Sequence, residues 1–283
     1  MTQFRARLAA NKAVGEYRHL VFITSAELPP VRPGHFAAVA VGGPDSAMLL
    51  RRAFSIHRVQ TKATVGTTIE LVVAPKGPGT KWLTSQPEGA VVDMIAPLGK
   101  PFTLPKAPVA CVIVAGGYGA APMIGLAEQL RSRGCRVDVV LGASTEGRLY
   151  GVLDLKRIAD SISITTDDGS LGTQGYVSDV LPDVMRRADT GVVYACGPMG
   201  MLQAVSTIAA QTGAIAQCAV EESMACGVGV CMTCVLPVVG DDGLTRMVRS
   251  CTDGPVFRGD RVRWSEVGTV PSDCVGAPKP EGH

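Results

Sequence analysis

Four cysteines have the residue type and spacing of a metal-cluster site. Cys226, Cys231 and Cys234 follow the order C-x4-C-x2-C, and Cys251 comes after sixteen further residues. Each thiolate can bond a metal, and a tight loop can direct several thiolates at one centre. A closed disulfide framework is disfavoured because the chain has an odd number of cysteines, nine. We therefore expect a metal site with these four cysteines as ligands.

The spacing favours an iron-sulfur cluster over zinc. A C-x4-C-x2-C run closed by a distant cysteine is the ligand order of plant-type 2Fe-2S clusters. Structural zinc, the alternative, favours two short cysteine pairs separated by a dozen or more residues. Gly227 and Gly229 let backbone N–H groups turn towards sulfur, which stabilises a reduced cluster. Because such a cluster exchanges single electrons, the rest of the chain should supply an electron partner.

Composition limits the classes of partner. A net charge of +2 with 18% charged residues predicts no field for nucleic acid. The first residues lack the apolar core of a signal peptide, and no apolar run approaches the roughly 20 residues of a membrane span. We expect a cytoplasmic protein with neither nucleic-acid nor membrane partners. The histidines show no ligand spacing and are expected to be structural or at the surface; they are His19, His35, His57 and His283.

The elements that position these residues change along the chain. Residues 1–103 contain short alternating apolar runs separated by Gly/Pro turns, which predict an antiparallel β-barrel. Residues 104–216 alternate strand, glycine turn and helix, as in a parallel α/β domain. Residues 217–275 form a loop-dominated cysteine segment, and residues 276–283 a disordered tail. The predicted fold class is therefore α/β plus β.

Two motifs in the barrel resemble those of ferredoxin-NADP reductase-like flavoproteins. Arg52-Ala-Phe54-Ser55 is similar to the family signature R-x-[YF]-[ST], in which arginine pairs with the flavin phosphate, the aromatic ring packs on the isoalloxazine and the hydroxyl bonds near N5. The second motif is a turn into a short helix, which exposes N–H groups to an anion. It comprises Gly77, Gly79 and Thr80. The resemblance implies an FAD site, with Ser55 as a candidate catalytic residue.

Two further motifs resemble the nicotinamide dinucleotide site of the same family. The first is a strand-turn-helix whose glycines allow close approach and whose helix N-terminus faces the pyrophosphate. It contains Gly116, Gly117, Gly119 and Pro122. The second, Cys196-Gly197-Pro198, is similar to the element C-G-P-x-x-[ML], whose cysteine lies near nicotinamide and flavin. The resemblance implies NAD binding and makes Cys196 a candidate catalytic residue, though not a nucleophile; a buried core thiol is the alternative.

The chain as a whole resembles the electron transfer subunits of class 1B dihydroorotate dehydrogenases. The specific segments are Asp167-Asp168-Gly169-Ser-Leu-Gly172, Glu221-Glu222 before the cysteine loop, and Cys251-Thr-Asp-Gly-Pro. The resemblance implies that an FMN-containing catalytic subunit oxidises dihydroorotate, in pyrimidine biosynthesis, and that electrons pass through the cluster and FAD to NAD+. It also implies a heterotetramer of two subunit types. Glu222 is placed at the flavin edge, with a solvated helix end as the alternative.

Three other functions are compatible with these motifs. The chain could be the flavin subunit of an NADH-dependent ferredoxin:NADP oxidoreductase or of a sulfide dehydrogenase, because these have similar segments. It could be an oxygenase reductase, although those usually carry a more separable ferredoxin-like domain. It could also be a non-catalytic interaction subunit stabilised by zinc. No acidic or basic residue that reads the ribose identifies NAD against NADP.

Overall fold

A closed antiparallel barrel of six strands forms the first part of the computed structural model, which describes residues 1–43, 46–62, 64 and 66–277. The spatial order is β1-β2-β5-β4-β3-β6. The strands are β1 (Thr2–Val14), β2 (Tyr17–Thr24), β3 (Phe36–Val39), β4 (Arg52–Lys62), β5 (Gly66–Val73) and β6 (Val91–Leu98), and the short helix α1 (Pro78–Thr84) follows β5. The predicted runs correspond to β2, β3, β5 and β6, and the two longest strands complete the barrel.

Alternation of side chains along the strands fills the barrel. Leu20 and Phe22 of β2 face Leu71 and Ile69 of β5 across the ladder, and all four are fully buried. Residues two apart in a strand share a face, so one apolar stripe on each strand suffices to build the core. Burial of each such side chain contributes about 1.5–3 kcal/mol.

The second part is a sheet of seven strands in the order β10-β9-β8-β7-β11-β12-β15, in which β15 is Val256–Arg258, and helices pack against it. Its elements are β7 (Ala110–Gly116), α2 (Ala121–Ser132), β8 (Arg136–Ala143), α3 (Val152–Ile158), β9 (Ser161–Thr166), β10 (Thr173–Gln174), α4 (Val177–Ala188), β11 (Val192–Cys196), α5 (Met199–Thr212) and β12 (Ile215–Ala219). The strand order reverses at β7, and Cys196 at the end of β11 pairs with Ala115 of β7. In such sheets ligands bind at this reversal, beyond the carboxyl ends of the strands.

The carboxyl-terminal segment has more regular structure than the sequence predicted. It contains the hairpin β13 (Val235–Val239) and β14 (Thr245–Arg249), and a last strand β15 (Val256–Arg258). β15 pairs antiparallel with β12, so the segment predicted to be loop-dominated completes the sheet of the preceding region. These strands have three to five residues, which is too short for an alternation pattern to identify them.

Two helices were also missed by the sequence analysis. Proline normally ends a helix because it lacks an N–H and clashes with the preceding turn, yet Pro182 lies inside α4. α3 has only seven residues, too few for helical periodicity. No helix in the described ranges is long and apolar enough to span a membrane. Most of the predicted tail, residues 278–283, lies outside the described residues.

Candidate functional site

The four predicted metal ligands lie together as two pairs. The sulfurs of Cys226 and Cys231 are 3.3 Å apart. Cys234 and Cys251 are buried and their side chains are in contact, packed with apolar residues of β3 and β6. A backbone hydrogen bond keeps Cys234 and Cys251 together, because the N–H of Ser250, the residue before Cys251, donates to the Cys234 carbonyl. The chain thus presents two thiol pairs, one more exposed than the other.

The electrostatics of the pairs fit a bound cation. Burial opposes ionisation of Cys226, but backbone N–H groups of Cys231 and Val228 outweigh it and lower its pKa to about 6. Burial and the neighbouring Cys234 sulfur raise the pKa of Cys251 to about 12. Once Cys226 is ionised, a second thiolate among the four cysteines, such as that of Cys251, needs positive charge beside it, and a metal supplies that charge.

The distances distinguish a two-iron cluster from a single zinc ion. Four thiolates around one tetrahedral Zn²⁺ at about 2.3 Å stand about 3.8 Å from one another. Among the residues that the structure describes, no three of these sulfurs lie within 4.8 Å of one another. Two separated pairs suit two iron atoms with two thiolates each. The donor set therefore fits a 2Fe-2S cluster.

Glycine is required in the loop that joins the first two cysteines. Gly227 and Gly229 have φ values of +71° and +86°, a region that side chains with a Cβ rarely adopt. This geometry points the Gly229 N–H at the Cys251 sulfur. Arg249 donates to the Gly229 carbonyl at 2.6 Å and fixes the loop from the other side.

A cavity of about 270 Å³ lies between the barrel and the sheet and collects most of the predicted flavin residues. Of the predicted site residues, those lining it are Phe54, Ser55, Gly77, Thr80, Gly119, Pro122, Cys196, Gly197 and Glu222. Phe36 and Met224 also line it, and both pack against the buried cysteine pair. This cavity, hereafter the smaller cavity, and the cysteine group therefore share a wall formed by Phe36 and Met224.

Arg52 and Gly79 lie beside this cavity without lining it. A Cβ on Gly79 would be 3.2 Å from the Arg52 Nε, so the arginine lies against the first turn of α1. The Thr80 hydroxyl accepts a hydrogen bond from the Gly77 N–H at 3.0 Å and so caps that helix. A guanidinium beside a helix N-terminus suits a phosphate group, and these residues fit the phosphates of FAD.

A larger cavity of about 790 Å³ opens at the reversal of strand order. Gly116, Gly117 and Pro198 line it, whereas the other residues predicted to contact the dinucleotide lie on the smaller cavity. Gly117 has φ of +55°, so glycine is needed for the turn that enters α2. The two predicted motifs of the α/β region therefore meet between the two cavities.

The wall between the cavities was missed by the sequence analysis. Ala74, Lys76, Tyr118 and Glu221 line both cavities. Tyr118 donates a hydrogen bond to Glu221, and the Lys76 ammonium lies 4.8 Å from the centre of the Tyr118 ring. No local motif could reveal this wall, because its members come from three distant segments of the chain.

A clasp between the barrel and the sheet was also missed. The turn between β1 and β2 reaches the larger cavity, where the Arg148 guanidinium pairs with Glu16 at 2.7 Å. The Tyr17 hydroxyl donates to the Arg148 carbonyl at 2.8 Å. All three residues line the larger cavity, so the barrel forms part of its rim.

Burial raises the pKa of two titratable groups on the smaller cavity. Burial raises the pKa of Cys196 to about 12, so this group is a thiol rather than a nucleophilic thiolate at neutral pH. Burial also raises the pKa of Glu222, and a backbone N–H of Ser223 partly opposes the shift. A carboxyl group with a raised pKa beside a redox cavity is suited to hold or release a proton.

Comparisons with known proteins agree with this arrangement. Residues 221–263 match the family model described as the iron-sulfur cluster binding domain of dihydroorotate dehydrogenase B. Residues 113–207 match the oxidoreductase NAD-binding domain. The dihydroorotate dehydrogenase B (NAD(+)) electron transfer subunit of Desulforamulus reducens is 36% identical, over 82% of this chain and 87% of the relative. The chain belongs to this family of electron transfer subunits.

A second relative and a solved structure extend the comparison within and beyond that family. The electron transfer subunit of Listeria innocua is 33% identical, over 93% of this chain and 99% of the relative. The solved NADH-dependent reduced ferredoxin-NADP oxidoreductase is 27% identical with a TM-score of 0.79, over 93% of this chain and 91% of that chain. The predicted fold class is confirmed, and the cofactors of the chain are NAD, FAD and a 2Fe-2S cluster.

Proposed function

We propose that this chain carries electrons between NAD(H) and a partner subunit that oxidises dihydroorotate. The observation that carries the proposal is that the larger cavity, the smaller cavity and the cysteine pairs adjoin one another in that order. The larger cavity shares four residues with the smaller one, and Phe36 and Met224 join the smaller cavity to the cysteine pairs. When bound, FAD exchanges a hydride with NAD and single electrons with the 2Fe-2S cluster. The chain therefore offers one continuous path from nicotinamide to cluster.

The residues along this path have separate roles. Arg52 and the first turn of α1 hold the flavin phosphates, while Phe54 and Ser55 orient the ring. The glycine turn ending in Gly119 holds the dinucleotide phosphates, and Cys196 packs as a neutral thiol where the two cofactors meet. The Glu222 carboxyl, whose pKa burial raises, lines the smaller cavity, where it can take up or release a proton beside the flavin. Phe36 and Leu98 pack against Cys234 and Cys251 and limit water on that side of the cluster.

The partner subunit docks on the cysteine loop. Val230 and Met232, on either side of Cys231, are 83% and 61% exposed. Large apolar side chains at such exposure are typical of a protein contact. Docking here places the cluster between the two flavins, as expected for a heterotetramer of two subunit types in the cytoplasm. The functional division of the chain is then 1–103 for FAD, 104–216 for NAD and 217–275 for the cluster.

Replacement of Cys231 with serine tests this path. The variant loses one ligand of the more exposed pair, and we expect at least a hundredfold slower transfer between NADH and the dihydroorotate-oxidising partner. Reduction of a two-electron acceptor by NADH should remain within about twofold, because the two cavities are intact. Iron, flavin and both rates are measured on the purified complex. Cys274→Ser is the control, since Cys274 is a buried cysteine outside the site.

Equal loss of both rates in Cys231→Ser with full flavin content contradicts the proposed path. The nature of the partner is a separate outcome. The likeness to the ferredoxin-dependent enzyme favours ferredoxin as the second candidate. Rapid cluster reoxidation by a ferredoxin, and none by the dihydroorotate-oxidising subunit, would replace the proposed partner while leaving the internal path unchanged.

A further inference from the structure

Three side chains on the outside of the barrel form a cluster unrelated to either cavity. His19 of β2, His57 of β4 and Glu70 of β5 lie on adjacent strands, and their ligand atoms are all within 4.8 Å of one another. The His19 Nε2 is 2.8 Å from the Glu70 Oε2, and the two imidazole rings are 5.3 Å apart. The positions are far apart in sequence, so the absence of ligand spacing did not exclude this contact.

The hydrogen bonds of His57 leave one nitrogen available to a metal. The His57 Nδ1 is 2.6 Å from the Ala121 carbonyl, which can only accept, so Nδ1 carries the proton. The Nε2 then carries the lone pair, and among the described residues its one hydrogen bond is a long one of 3.5 Å accepted from the Tyr150 hydroxyl, which a metal would replace. A ligating histidine usually donates its other N–H to a carbonyl or carboxylate in this way.

We propose that His19, His57 and Glu70 bind a divalent transition metal ion of the zinc class. Imidazole nitrogen and carboxylate oxygen are zinc ligands, and three protein ligands leave a fourth position for water. Tetrahedral bonds of about 2.0–2.1 Å place the ligand atoms about 3.3–3.4 Å apart. The observed spread, from 2.8 Å to at most 4.8 Å, brackets that separation, so small rotations of the side chains suffice.

The surroundings permit entry and charge balance. The side chains of His19 and Glu70 are 23% and 18% exposed, which gives an ion access from solvent while limiting competition by water. The nearby Arg58 guanidinium is paired with Glu128 at 2.8 Å, so its positive charge is already compensated. Ala121, whose carbonyl orients His57, is the first residue of α2. A bound ion therefore braces the contact between the barrel and the helix that enters the dinucleotide turn.

Zinc titration of the holoprotein tests the site. After equilibrium dialysis against Zn²⁺ and removal of weakly bound metal, zinc and iron per chain are measured by plasma mass spectrometry. We expect one zinc per wild-type chain with iron unchanged, and at least a tenfold weaker affinity in His57→Gln and in Glu70→Gln. The matched control is Glu88→Gln, an exposed carboxylate outside the cluster and its ion pairs. At a hundredfold excess over Kd, zinc should raise the wild-type unfolding temperature by about 5 °C.

Two results would overturn the inference. The first is no zinc bound by the wild type below about 100 µM, which reduces the cluster to a hydrogen-bonded group. The second is equal zinc uptake by all four proteins, with or without loss of iron, which assigns the zinc to other ligands such as the cysteines. Flavin content and NADH oxidation are measured on every variant, and the use of two independent ligand variants separates loss of a ligand from a folding defect.

Discussion

Gly229 offers a sharp test of how the cysteine loop is held. Its φ is +86°, and a Cβ added to it would lie 2.6 Å from the Thr252 Cγ2. Thr252 follows Cys251 directly, so the collision acts next to a predicted metal ligand. Because threonine is stiff at χ1, its methyl group cannot turn away freely. Gly229→Ala should therefore displace the loop from the buried cysteine pair.

The expected cost has two parts that can be separated. An alanine in the left-handed region costs about 1–2 kcal/mol, and overpacking against Thr252 adds about 1–3 kcal/mol. Gly243 is the matched control, because its φ is +76° and a Cβ there meets nothing within 4 Å. Gly243→Ala should lose only the roughly 1–2 kcal/mol of stability that alanine costs in the left-handed region, which lowers the unfolding temperature by about 2–8 °C.

The assay compares iron per chain, flavin per chain and unfolding temperature in three variants. Gly229→Ala should lose iron and have an unfolding temperature below that of Gly243→Ala, with flavin retained. The double variant Gly229→Ala/Thr252→Ser removes the colliding methyl group and should recover iron and the temperature of the control. Equal iron and equal temperature in Gly229→Ala and Gly243→Ala would refute the reasoning, as would a double variant no better than Gly229→Ala.

Two further predictions concern the smaller cavity. In Gly119→Ala the new Cβ would lie 2.5 Å from the Cys196 carbonyl oxygen. Because a backbone atom cannot move aside, flavin reduction by NADH, measured in stopped flow, should slow at least tenfold. In the control Gly125→Ala the new Cβ would lie 3.7 Å from its nearest neighbour and the rate should not change, so similar rates in the two variants would contradict the collision. Burial raises the pKa of Glu222 in the folded protein above the ordinary value of 4.5. The uncharged carboxyl therefore contributes its full share to the free energy of unfolding below that pH, and this contribution is lost as the pH rises through the folded-state pKa. The unfolding temperature of the wild type relative to Glu222→Gln should therefore fall as the pH rises above about 4.5, whereas parallel profiles would show that Glu222 is not desolvated.

The four cysteines predicted as cluster ligands could be singled out because their signal is local. Three of the four cysteines lie in one short loop with Gly227 and Gly229, so spacing alone specifies which sulfurs can face one centre. The glycine turns of the FAD and NAD motifs are similarly local, since positive φ and close approach depend on neighbouring residues. Fold class, family and cofactors are confirmed on this basis. The individual cluster ligands and the flavin and dinucleotide contacts stay predictions, to be tested by the variants above.

Regular elements that depend on distant contacts were not predictable. α4 continues through Pro182 because its apolar face is buried in the core of the sheet. Packing of this kind contributes more to helix stability than the helix propensity of single residues does. β15 has three residues and is a strand only because β12 offers an unpaired edge. Short elements of this kind carry too few residues for periodicity to show.

The sequence by itself determined which residues could hold each cofactor, because ligand spacing and turn chemistry are properties of short segments. Only the tertiary structure decided how those sites are joined. The wall of Lys76, Tyr118 and Glu221 between the cavities, and the cluster of His19, His57 and Glu70, unite residues from distant segments. Their juxtaposition follows from strand order and register, which long-range packing sets and which no local pattern of residues encodes.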